Sequence, residues 1–147
     1  MTPQQIDLVQ TTWKQLVPIA DQAAALFYSR LLELDVSLKS LFKTDLKSQG
    51  RKLTSMINTA VVNLAKLDTI VPAVQDLGRR HVAYGVKPAH YDIVGTALLW
   101  TLDKGLGAGF TPAVREAWAQ AYTTLAGVMM KAAAEHAGTA EPLAATS

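Results

Sequence analysis

The chain contains no cysteine, which removes disulfides, thiolate metal sites, iron–sulfur ligation and cysteine nucleophiles at once. Long apolar runs are missing too. No stretch approaches the ~18 residues of a membrane span, and the start, Met1-Thr2-Pro3-Gln4-Gln5, lacks the charged-then-apolar layout of a secretory leader. These absences predict a cytoplasmic protein with no membrane partner. Neither charge sign dominates: 14 Lys and Arg face 12 Asp and Glu, so nothing in the balance demands nucleic acid. Sustained two-residue alternation is also absent, which argues against half-buried strands. Any chemistry must therefore come from His, Tyr, carboxylates or a bound cofactor.

What is present is helical periodicity across 147 residues, half of them hydrophobic. A single domain of this size buries about 68–70% of its unfolded surface, enough to enclose a cofactor. Thr2-Pro3-Gln4-Gln5 reads as a capping box with Pro at the first helical position, and the stripe Ile6, Val9, Trp13, Leu16 follows it up to Pro18. A second helix from about Asp21 to Leu34 turns Ala24, Phe27, Tyr28, Leu31 and Leu32 inward. A third shows Leu46, Gln49, Leu53, Met56 or Ile57, Ala60 and Leu64. A shorter one shows Ile70, Val74, Leu77 and His81. Pro88 opens a fifth with Tyr91, Val94, Leu98, Leu102 and Leu106 inward, closed by glycines at 105, 107 and 109. Thr111-Pro112 caps the last, with Val114, Trp118, Ala121, Tyr122, Leu125, Val128 or Met129, and Ala132. The expectation is an all-α domain over residues 1–136 and a flexible tail over 137–147.

Three stripes contain a polar residue, and burying one without a partner costs about 1–3 kcal/mol. His81 continues the spacing 70, 74, 77, 81. Two readings stand open: a core histidine bonded to a backbone carbonyl, or a metal ligand. A protein-built zinc site would need further ligands, and only His90 and His136 remain as histidines. Haem brings four ligands of its own, so one histidine suffices, and among metal readings haem is favoured. Gln49 interrupts its stripe and is either a solvated first-turn residue or an inward amide. Tyr28 is either core or an inward hydroxyl. Together they can present an N–H and an O–H to one point in a dry pocket, donors suited to O2 that acquires negative charge at iron.

Phe27-Tyr28, Leu41-Phe42, Ser48-Gln49-Gly50-Arg51-Lys52-Leu53, Gly78-Arg79-Arg80-His81 with Tyr84-Gly85-Val86, and His90-Tyr91-Asp92-Ile93-Val94-Gly95 together resemble the globins. The likeness covers about residues 3–135. It is nearest to bacterial single-domain haemoglobins and the haem domains of flavohaemoglobins, with neuroglobin-like touches in Gly-Arg-Arg-His and Phe110-Thr111-Pro112. The resemblance implies a globin fold of about six to eight helices around haem b. It makes His81 the proximal iron ligand, Phe42 the wedge on the porphyrin, and Tyr28, Gln49 and Leu53 the distal pocket. Lys52 and Arg80 would meet the propionates. Leu77, Val86, Tyr91, Val94 and Leu98 would line the proximal side, where a carbonyl one turn before His81 would orient its other ring nitrogen.

Two departures from the family pattern matter. Gln49 stands where many globins carry a distal histidine, so no histidine is expected to close the sixth position. In flavohaemoglobins a tyrosine and a glutamate polarise the proximal histidine. Tyr91 matches the tyrosine, but Ala133 falls at the place of the glutamate, with Glu135 nearby. The resemblance therefore points first to reversible O2 binding for storage or transport, with NO and CO as further ligands. Nitric oxide dioxygenation, a weak peroxidase activity, or gas and redox sensing are the alternatives. Ending at Ser147, the chain would take electrons from a separate reductase, and the basic stretch Lys39, Lys43, Lys47, Arg51, Lys52 offers either a solvated face or a dock for it.

Overall fold

The computed structural model describes residues 1–41, 45–83 and 86–139. Phe42, Tyr84 and Gly85 lie outside the described residues. Among those described, six α-helices and four short 3-10 turns account for the regular structure: α1 (Pro3–Leu16), α2 (Ala20–Leu34), α3 (Leu46–Val62), α4 (Val71–Ala83), α5 (Pro88–Leu106) and α6 (Pro112–Thr139). The all-α expectation holds. Helix α6 runs three residues into the segment expected as tail, and residues 140–147 lie outside the description.

Helix ends follow local chemistry. Thr2 Oγ1 accepts from Gln5 N–H at 3.1 Å while the Gln5 side chain accepts from Thr2 N–H at 3.0 Å, so two otherwise orphaned donors are satisfied. Pro18 falls in a 3-10 turn (Val17–Ile19) that separates α1 from α2. Asp45 caps α3 by accepting from Ser48 N–H. Gly107, with φ +55°, ends α5 in a backbone region that favours glycine. Gly105 does not cap. It sits inside α5, where a Cβ would come within 2.7 Å of Leu16 Cδ2, so its role is the close approach of α5 to α1.

Three apolar clusters form the interior. The first joins α1, the end of α3, α5 and α6 through Val9, Trp13, Leu16, Val61, Leu64, Leu102, Val114 and Trp118. Its buried polar atoms are paired: Trp118 Nε1–H donates to Thr12 Oγ1 at 2.9 Å, and Thr12 Oγ1 donates to Leu8 O at 2.7 Å. The second lies between α2, α3 and α5, and the third between α4, α5 and α6. These last two hold the residues singled out by sequence.

One stripe reading is corrected. Leu46 was expected inward but is 44% exposed, and so is Met56 at 37%, whereas Ile57 packs on the first cluster. Leu46 opens the first turn of α3, ahead of Gln49 and Gly50 where that helix meets α2.

Candidate functional site

On α4, His81 is half-buried and its ring Nδ1–H donates to Leu77 O at 2.7 Å. The acceptor is a carbonyl, so Nδ1 carries the proton and Nε2 is left as the ring's lone-pair donor. Desolvation by burial is the largest influence on the ring and lowers its pKa from the usual 6.5. The Leu77 hydrogen bond opposes this, and Arg80 reinforces it. The neutral imidazole that a metal requires is thus the favoured form near pH 7.

What holds α4 in place is its crossing with α6. A Cβ on the buried Gly78 would stand 2.7 Å from Met129 Cα and closer still to Met129 O, so only a hydrogen at this position lets the two backbones meet. The cluster around the crossing contains Tyr91, Ala126 and Met129, with Val74, Leu77, Val86 and Tyr122 packed on it. The His81 and Tyr91 rings lie 6.5 Å apart at 31° between planes.

Tyr122 was read only as a stripe residue, yet its hydroxyl donates to Tyr91 O at 2.6 Å. It reaches that carbonyl across Gly95, where a Cβ would come within 2.8 Å of the Tyr122 ring. The strut fixes the first turn of α5, and with it Tyr91. Gly95, a glycine inside a helical stripe, was the signal available in the sequence. Ala133 is half-buried and Glu135 exposed, both on α6.

In the second cluster, Tyr28 is 5% exposed and packs edge-on to Phe27, ring centroids 5.1 Å apart. Burial pushes its hydroxyl pKa up to about 12, so it stays a protonated donor at neutral pH. That O–H donates to the main-chain carbonyl of Gln49 at 3.2 Å. Close contact between α2 and α3 makes this possible: a Cβ at Gly50 would sit 3.1 Å from Ala24 Cβ. Leu53 packs on the same cluster as Tyr28, and Gln49 is half-buried beside Gly50.

The structure therefore brings Tyr28, Gln49 and Leu53 together, and separately Leu77, His81, Val86 and Tyr91. Val94 and Leu98 were expected with the second group. They pack with Tyr28 and Leu53 instead, because α5 passes behind both groups and its residues beyond Tyr91 turn toward α2. Lys52 is exposed on α3. Arg80 is exposed as well, and its Nε pairs with Asp76 Oδ2 at 3.2 Å. Among the described residues no three His, Asp or Glu side chains gather into a protein-only metal site.

Two groups of candidate side chains, one with a neutral histidine and one with a protonated phenol, both adjoin α5. Residues 25–129 match the family described as Globin. The chain belongs to the globin family. It is also 31% identical over 124 residues to the flavohemoprotein of Bacillus subtilis (strain 168), a match covering 82% of this chain and 31% of that protein. The chain thus spans about a third of the length of this curated relative. Globin membership implies haem b as cofactor and a gas-interacting protein. No helix among the described residues is long and apolar enough to cross a membrane.

Proposed function

We propose that this globin binds O2 reversibly, with haem held by His81 and the ligand met by Tyr28 and Gln49. The observation that carries the reading is the Leu77 bond to His81 Nδ1, which leaves Nε2 as the iron-binding atom and holds the ring plane. When bound, haem supplies a ferrous iron with an exchangeable coordination position. The residues present fit the group: a neutral imidazole in one group, and in the other a buried phenolic donor with the apolar side chains of Leu53 and Ile57.

The chain's own contribution is orientation, donation and exclusion of water. Leu77 O is a neutral acceptor and so adds less electron density to the imidazole than a carboxylate would. With Ala133 in the carboxylate's expected place and Glu135 exposed, the proximal setting favours carrier behaviour over peroxidase-like bond cleavage. Tyr28 keeps its proton to high pH, and its O–H, now donated to the Gln49 carbonyl, is the donor a ligand would receive. Lys52 is free to meet a propionate, whereas Arg80 would have to leave Asp76. Phe42 completes the proposed pocket.

A second reading, nitric oxide dioxygenation, is favoured by the likeness to a flavohemoprotein. It requires a reductant at every turnover. Sustained NO consumption with a reductase supports it; consumption that stops at one equivalent supports the carrier.

The deciding experiment is absorption spectroscopy of purified protein in ferric, ferrous and O2-exposed states, beside His81→Ala with and without added imidazole. The expected result is a reversible O2 spectrum, its loss in His81→Ala, and partial return with imidazole. An unchanged haem spectrum in His81→Ala overturns the assignment.

A further inference from the structure

Charge is unevenly placed along this chain. Residues 39–66 hold Lys39, Lys43, Lys47, Arg51, Lys52 and Lys66 against the single acid Asp45, whereas the remaining residues carry eight cations and eleven acids. Helix α3 contains three cations and no acid.

Helix stability does not account for this arrangement. Lys47 lies in the first turn of α3, at the end of the helix dipole where a cation is unfavourable. With no acid on α3, none of its cations has an i,i+4 partner there. Elsewhere two cations are paired among the described residues, Arg30 with Glu33 at 3.4 Å and Arg80 with Asp76 at 3.2 Å, so what sets α3 apart is its run of cations without an acid. Asp45 is committed to the helix cap, its two oxygens accepting from Ser48 N–H at 2.9 Å and Ser48 Oγ–H at 3.0 Å. Among the described residues Lys39, Lys47, Arg51 and Lys52 are exposed and make no ion pair. Lys47 and Arg51, one turn apart, share an outward face, and the same helix carries Gln49 and Leu53 of the proposed pocket.

We infer that this face of α3 receives an acidic electron-transfer protein that returns oxidised haem iron to the ferrous state. The inference rests on the haem reading above. The transfer is balanced by the partner: one electron leaves its reduced flavin or iron–sulfur centre and one is gained by ferric iron, with no bond made or broken. A complementary acidic surface gains on-rate from steering by the unpaired cations, and the gain is greatest at low salt. No aromatic residue stands between Thr44 and Lys66, so the face lacks the stacking platforms of a single-stranded nucleic-acid site.

The test compares wild-type protein with Lys47→Glu/Arg51→Glu on α3 and with Arg115→Glu/Lys131→Glu on α6, which changes net charge equally. Lys52 is left alone because it belongs to the proposed haem contacts. Ferric protein is reduced in a stopped-flow instrument by the hydroquinone of an acidic flavodoxin over about 10–200 mM salt. The α3 reversal is expected to slow reduction about ten-fold or more at low salt and flatten its salt dependence, with the α6 reversal within about two-fold of wild type. Reduction by dithionite stays the same in all three. In parallel, 15N-labelled wild-type protein titrated with oxidised flavodoxin is expected to show amide shifts concentrated in residues 39–52.

Equal slowing by both reversals, or no slowing by either, overturns the inference. So does release of anionic lipid vesicles by the α3 reversal while flavodoxin leaves the α3 amides unmoved. Failure to take up haem would sink the functional reading alone, since the amide titration tests docking without it.

Discussion

Gly78→Ala isolates the contact that places α4, and its effect can be worked from the structure. The added Cβ would meet Met129 Cα at 2.7 Å and Met129 O closer still, and ordinary van der Waals contact begins at 3.4 Å, so α6 must recede by at least about 0.7 Å. The obstruction is backbone rather than a side chain, so no rotamer change relieves it. Overpacking of this kind costs about 1–3 kcal/mol, and roughly 2–4 kcal/mol when, as here, a main chain must move. Alanine's better helix propensity returns about 1 kcal/mol. A net loss of about 1–3 kcal/mol is expected, or a fall in Tm of roughly 3–10 °C for a domain of this size. Gly127→Ala on α6 is the matched control: a Cβ there meets nothing within 4 Å, so the same propensity gain should appear alone, stabilising by about 0.5–1 kcal/mol. Urea denaturation of both variants reads the difference at constant slope. If Gly78→Ala equals or exceeds wild-type stability, α4 and α6 do not meet as described, and the support for His81 goes with them.

Thr12→Val keeps the shape of a buried side chain but strands the Trp118 indole N–H that it accepts. A loss of about 1–3 kcal/mol is expected in the same urea assay, and less than about 0.5 kcal/mol would show that the bond is not formed. Tyr28 gives a pH dependence of known sign. Its folded pKa is raised from 10.0 to about 12, so the unfolded chain releases its proton first. The stabilising contribution is complete below pH 10 and is lost as pH rises toward 12. Tm measured from pH 8 to 11 should therefore fall above pH 10, and Tyr28→Phe should fall less steeply; parallel curves would refute the burial argument. In the haem-loaded protein, removing the same donor should speed O2 dissociation about ten-fold, measured by ligand displacement with CO; an unchanged rate would remove Tyr28 from the ligand's surroundings.

The two sides of the site were unequally legible in the sequence, and the reason is the range of the interaction that fixes each. His81 and its orienting carbonyl belong to one helix: the carbonyl at i−4 lies within reach of a helical histidine's Nδ1 in a suitable rotamer, so the spacing 77, 81 already named Leu77 O as a candidate acceptor. Tyr28 and Gln49 come from two helices, and where the phenol sends its proton depends on how closely those helices approach. That distance is set by Gly50 against Ala24, a contact no periodicity reveals, and it directs Tyr28 to the Gln49 main chain rather than leaving its hydroxyl solely for a ligand. Val94 and Leu98 pack on the cluster of Tyr28 and Leu53 for a related cause. Their inward stripe was correct, but a stripe names a face of α5 and not the element beyond it. Leu46 failed because it opens the first turn of α3, ahead of the close approach of Gly50 to Ala24, and a periodic stripe does not say where such an approach begins. The proposed distal donors are therefore adjustable: small changes at the α2–α3 crossing would redirect Tyr28 without altering one residue of the proposed pocket, whereas the His81–Leu77 bond lies within one helix and is insulated from such changes.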